Sequence, residues 1–196
     1  MASPGRGWRL HGRACSILAA DKRQSRTIKM SFTLQPISRA DLQVLADAGV
    51  PAGVAGRTAD GALPPPFVAK RSLGQLQQGQ EELWCHGFYI VRDMDGYVVG
   101  GCGFKGAPMC GQVEIGYAVS PACRNQGAAT QGVRELIQRA FATDAVSEIL
   151  AQVNPANASS TRIVQKLGFA RGEVEAGEGG ELLVQWVLRK PLMTGR

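Results

Sequence analysis

The 196-residue chain predicts a single domain of mixed α/β class, a sheet flanked by helices. Three observations carry that reading. Strand-like runs alternate with amphipathic stretches, and no internal repeat is visible. Asp95-Gly96 separates two strand-like runs, Gly87 to Arg92 and Tyr97 to Phe104, which is a strong hairpin signal. Val133, Leu136, Ile137, Ala140 and Phe141 recur at helical spacing and form one apolar stripe. The 44% hydrophobic content suits a globular core, and no run approaches the roughly 18 apolar residues of a membrane span.

The elements follow in order. Ser38 caps a first helix, Asp41 sits where a capping-box acid belongs, and Leu42, Leu45 and Ala48 keep helical spacing until Gly49 and Pro51. Residues 50 to 67 hold Gly53, Gly56, Gly61 and Pro64-Pro65-Pro66 and read as a long loop, often a functional feature. A second helix is expected over Val68 to Gln78. The hairpin follows, with Gly100, Gly101 and Gly103 in its second strand. Such glycines weaken a strand unless a backbone or ligand approaches closely. After a turn from Lys105 to Gly111 comes a strand over Val113 to Val119. The striped helix covers about Ala128 to Ala142. A strand over Val146 to Val153, a short helix capped by Asn157 or Ser159 and ended by Gly168, a strand from Phe169, and a last strand over Glu181 to Arg189 complete the series.

The charge is unevenly placed. Residues 1 to 30 carry seven Lys/Arg and one acid, which is the whole formal net charge of +6; the remaining 15 bases and 15 acids cancel. Residues 1–30 are therefore read as a basic, disordered leader, 31–190 as the domain and 191–196 as a tail. An organelle-targeting peptide and a basic arm are the alternatives for the leader. The balanced domain argues against nucleic-acid binding. Five cysteines, with only His11 and His86 beside them, lack metal-ligand spacing. No metal is expected, and reduced cysteines point to the cytoplasm.

Arg124-Asn125-Gln126-Gly127-Ala128-Ala129 follows the strand Val113 to Val119 and opens the striped helix. The first N–H groups of a helix lack internal partners, and the helix dipole favours negative charge there. Small residues let an anion reach the backbone. This turn reads as a pyrophosphate cradle.

The turn resembles the acyl-CoA signature of the GNAT superfamily of N-acetyltransferases: Arg or Gln, two residues, Gly, one residue, Gly or Ala, here Arg124, Gly127 and Ala129. Glu114-Ile115-Gly116-Tyr117 resembles the family's fourth strand. Asn154 to Ser160, leading into Lys166-Leu167-Gly168-Phe169, resembles its second cofactor segment. The likeness spans residues 32 to 190. The strand Glu114 to Tyr117 is similar to that of the ribosomal-protein alanine and serine N-terminal acetyltransferases. The resemblance implies a mostly antiparallel sheet and acetyl-CoA as co-substrate. It implies backbone contacts from Ala118 and Val119 to the pantetheine arm, and cofactor contacts from Arg124, Asn125, Gln126, Gly127, Ala128, Ala129 and Thr130. Asn157 matches a position that touches pantetheine or supports its loop; helix capping explains it equally well.

Acetyl transfer also needs a base for the incoming ammonium. Alternation places Glu114, Gly116 and Ala118 on one strand face, a carboxylate beside two small residues. The resemblance makes Glu114 the general base; a solvated strand acid is the alternative. Many relatives carry a Tyr proton donor where this chain has Val164, leaving Tyr117, Ser160 or no donor in its place. Trp84-Cys85-His86 could line the acceptor side, although a structural His86 is the simpler reading. The expected activity is direct transfer to a primary amine in a ternary complex. The acceptor is a small molecule or a protein N-terminus, with no membrane partner, and a homodimer is a possible assembly. The alternative is a non-catalytic acyl-CoA-binding module.

Overall fold

The structure, a computed structural model, describes residues 30–177 and 179–191. The readings made for residues 1–29 and 192–196 lie outside them. Seven strands form one sheet: β1 (Phe32–Pro36), β2 (Gly87–Arg92), β3 (Tyr97–Phe104), β4 (Gln112–Val119), β5 (Glu148–Val153), β6 (Ala170–Ala176) and β7 (Leu182–Arg189). Their order is β1-β2-β3-β4-β5-β7-β6. Every neighbouring pair is antiparallel except β4 and β5, which run parallel.

Among the described residues, five α-helices accompany the sheet: α1 (Arg39–Ala46), α2 (Pro66–Gln77), α3 (Glu82–Cys85), α4 (Ala128–Phe141) and α5 (Ala158–Lys166). Ser38 caps α1 by accepting from the Asp41 N–H at 3.0 Å. Helix α1 stops at Ala46, and Ala48 takes a left-handed conformation instead of continuing the stripe. Helix α2 starts two residues before the expected Val68, because Pro66 sits at the helix start, where its missing N–H costs nothing. Strand β5 begins at Glu148 instead of Val146, and β6 at Ala170 instead of Phe169. Neither β1 nor α3 is expected from the sequence. Strand β1 has only five residues, and its pairing with β2 defines it. Helix α3 is one turn long, too short to show a period.

The core lies on both sides of the sheet. Helix α4 packs over β1 to β4, burying Val133, Leu136 and Ala140 completely. Removing a Val or Leu side chain from water in this way contributes about 1.5–3 kcal/mol each. Helices α1 and α2 pack on one another, and α5 lies against β5. Trp84 is buried, with its ring edge-on to Phe104 at 5.0 Å. It therefore belongs to the core.

Two features of the sheet create space for a site. The pairing of β4 with β5 runs from Gln112↔Glu148 to Ile115↔Ala151 and stops, although β4 continues to Val119 and β5 to Val153. The strands splay beyond that point. The glycines of β3 admit neighbours at short range. A Cβ on Gly100 would run into the Ala118 carbonyl oxygen, and one on Gly101 would lie 3.6 Å from Pro64 of the long loop.

Candidate active site

The splay opens into a groove of about 890 Å³ between the end of β4, the start of α4 and one side of α5. Ala118, Val119, every residue from Arg124 to Thr130, and Asn157 line it. The cofactor residues expected from the sequence thus converge on one surface. Glu114 does not line it.

Gly127 is the N-cap of α4 with φ of 91°, and Asn125 is also left-handed with φ of 63°. No atom lies within 4 Å of where a Gly127 Cβ would stand, so the approach to the helix end is open. The first intrahelical bond runs from the Gln131 N–H to the Gly127 carbonyl at 2.9 Å. The N–H groups of Ala128, Ala129 and Thr130 precede it and have no helical acceptor. Gln126 adds a shielded side-chain amide oxygen without a partner.

Strand β4 contributes backbone. The Ser120 N–H reaches the Val99 carbonyl at 2.9 Å, and the Lys105 N–H reaches the Glu114 carbonyl at 2.8 Å. By alternation, Gly116 and Ala118 also turn their peptide groups to β3, while Tyr117 and Val119 turn theirs to the splay. Ala118 therefore borders the groove without offering it an N–H. The Val119 carbonyl accepts from Arg124 Nε at 3.4 Å, which ties the cradle turn back to the strand.

Arg162 and Lys166 of α5 also line the groove, and no Asp or Glu among the described residues does. Sequence reasoning missed both. Their spacing of four on a helix whose inner face is Ile163, Val164 and Leu167 was the available signal. Three cationic side chains, free helix N–H groups and an open Gly127 suit a pyrophosphate carrying further phosphate. The residues present fit coenzyme A.

Asn157 is the cap of α5 and stands at the groove. Its Oδ1 accepts from the Ser160 N–H at 3.0 Å, capping α5, and its side chain borders the groove. Val164 is fully buried and does not face the groove. Tyr117 does, and its hydroxyl donates to the Ser160 carbonyl at 3.3 Å. Burial is the main cause that raises the Tyr117 pKa above its ordinary value; the Ser160 side-chain hydroxyl, which favours the phenolate, opposes it.

A smaller cavity of about 170 Å³ lies deeper in the splay. Tyr117, Asn157 and Ser160 form the wall it shares with the groove. Lys105 and Gly116 also line it. The Lys105 ammonium donates to the Glu114 carboxylate, its cross-strand neighbour. Gln75 of α2 donates to the Lys105 carbonyl at 2.8 Å, so α2 bounds this side of the sheet. Among the described residues, no group of three or more His, Cys, Asp or Glu is placed to hold a metal. No cysteine among them bonds a histidine, and burial pushes the Cys102 thiol pKa up.

A splayed β4–β5 pair beside a helix that opens on a small-residue anion cradle defines an acyl-CoA-binding acetyltransferase architecture. Residues 31–170 match the family model described as an acetyltransferase (GNAT) domain, and the chain belongs to that family. Over 83 residues, 41% of the chain, it is 36% identical to the uncharacterized N-acetyltransferase YjdG of Bacillus subtilis (strain 168). That alignment spans about half, 49%, of the relative's length. The fold is similar to that of ribosomal-protein-S5-alanine acetyltransferase from Vibrio fischeri, with a TM-score of 0.59 at 16% identity over 82% of this chain and 96% of that one. It is also similar to aminoglycoside acetyltransferase AAC(6')-Ib in complex with coenzyme A, with a TM-score of 0.56 at 19% identity over 82% and 95% of the two chains. No helix among the described residues is long and apolar enough to cross a membrane.

Proposed function

We propose that this protein transfers the acetyl group of acetyl-CoA to a primary amine by direct attack in a ternary complex. The observation that carries this reading is the groove: helix N–H groups, Arg124, Arg162 and Lys166 at one end, and the β4–β5 splay at the other. In this reading the α4 N-terminus and the three cations hold the phosphates. The outward-facing peptide groups of Tyr117 and Val119 align the pantetheine arm as an added strand. The Val119 N–H is the donor toward the thioester oxygen as negative charge develops there.

Glu114 takes the proton of the incoming ammonium, directly or through water. Its carboxylate is paired with the Lys105 ammonium. Tyr117 returns a proton to the departing thiolate from the shared wall; its raised pKa keeps the hydroxyl protonated. The acceptor enters from the side bounded by the long loop and α2, where Pro64 and Gln75 meet the sheet. Both peptide N-termini and small-molecule amines fit this chemistry, and the acceptors in the names of the structural relatives span both. The soluble, reducing cytoplasm is the compartment that the cysteine content favours.

Calorimetry with CoA, followed by a thiol-release assay with acetyl-CoA against a panel of amines and N-terminal peptides, tests the reading. Micromolar CoA binding with acceptor-dependent thiol release is expected. CoA binding without release on any amine would favour the acyl-CoA-binding module instead.

A further inference from the structure

Lys105 is a primary amine held at the inner end of the splay by three constraints. Its N–H bonds the Glu114 carbonyl, and its own carbonyl accepts from Gln75. Its Cε lies 3.8 Å from where a Gly116 Cβ would stand, so the side chain crosses the strand where no side chain obstructs it. Its ammonium is bound to Glu114, the carboxylate assigned above to deprotonate an acceptor. It also lines the small cavity that shares the Tyr117, Asn157 and Ser160 wall with the cofactor groove.

We propose that Lys105 is an internal acceptor, a site at which the enzyme acetylates itself from bound acetyl-CoA. The inference rests on the transferase reading above. The step balances without a redox partner. The Lys105 Nζ gives up a proton to Glu114, a new N–C bond forms to the acetyl carbonyl carbon, and the thioester C–S bond breaks. The CoA thiolate leaves and takes a proton from Tyr117, which is restored by the second proton that the nitrogen sheds, while Glu114 passes the first proton on to solvent. The product amide carries no charge. Once that proton has left, Glu114 is a carboxylate without its ion-pair partner, ready for the ammonium of an external acceptor. The flexible four-carbon stem of a lysine supplies the movement needed to turn Nζ from Glu114 into the splay.

The test incubates the full chain with acetyl-CoA and locates added acetyl groups by peptide mass spectrometry. Acetylation of Lys105 is expected at a rate independent of protein concentration, since donor and acceptor share one molecule. It should fall by tenfold or more in Gly127→Val, while chemical acetylation of surface lysines is unchanged. Lys105→Arg keeps the ion pair and should remove only this acetyl group. An unmodified Lys105 in a protein that binds CoA and acetylates an external amine would overturn the inference and leave the transferase reading standing. So would modification of Lys105 that is undiminished in Gly127→Val. Absence of CoA binding in the wild-type chain would bring down both.

Discussion

In the proposed reading, recognition at the groove is built mostly from backbone: the N–H groups of Ala128 to Thr130, the peptide groups of Tyr117 and Val119, and a left-handed Gly127. On the other side of β4, under α2, the groups that matter are side chains: Lys105, Glu114 and Gln75, brought from separate elements. Backbone recognition places strict demands on a short stretch, because small residues, a cap and a strand end must come in one order. Side-chain recognition spreads its demands over residues 64 to 116, with no local pattern. In the proposed reading the first side is therefore generic to a cofactor, and the second is where the choice of acceptor would reside.

Glu114→Gln should break the comparison most sharply. Turnover on an amine should fall by roughly 10²-fold, the low end for loss of a general base. CoA affinity in calorimetry should stay at the wild-type value. The deficit should shrink as pH rises toward the amine's own pKa, where free amine exists without a base. Wild-type turnover near neutral pH would return Glu114 to a cross-strand partner of Lys105.

Gly127→Val should act on the other side. A β-branched residue at a φ of 91° is strained and fills the open approach to the helix end. CoA binding should weaken by about tenfold or more, roughly 1.4 kcal/mol. Unchanged affinity in a folded variant would reject the cradle.

Tyr117→Phe probes the wall between the two sides. Turnover should drop by roughly threefold to tenfold, less than usual for a lost acid because a CoA thiol leaves readily. The sign of the pH dependence follows from the raised pKa. The wild-type donor stays protonated up to and beyond the ordinary tyrosine value of about 10, so Tyr117 should impose no falling limb on kcat below that pH. A falling limb in the neutral range that disappears in Tyr117→Phe would contradict this environment.

Arg162→Ala and Lys166→Ala should have the smallest effects. Each removes one solvent-screened charge, expected to cost about 0.5–1 kcal/mol of CoA affinity, or roughly twofold to fivefold. Both losses should diminish with added salt. Salt-independent losses would point to a packing defect in α5.

The cradle was legible because its physics is local. The stripe of Val133, Leu136 and Ala140 marks the helix, and Gly127 marks its start. The hairpin around Asp95-Gly96 was legible for the same reason, down to both strand boundaries. Arg162 and Lys166 were within reach of helical spacing but carry no motif. Lys105 was not readable at all. Its place opposite Glu114 depends on a turn in which Cys110, a residue that rarely takes positive φ, is left-handed at 49°.

The sequence by itself determined the class of the domain, the order of most of its elements and the small-residue turn that opens α4. Each follows from periodicity, capping or turn chemistry acting within a few residues. Only the tertiary structure decided where β4 and β5 part, which β4 peptide groups face the gap, that Trp84 is core, and that Lys105 meets Glu114. These depend on strand register and on which segments stack across the sheet. Such contacts join residues far apart in the chain, and their energies do not appear in any short stretch of it.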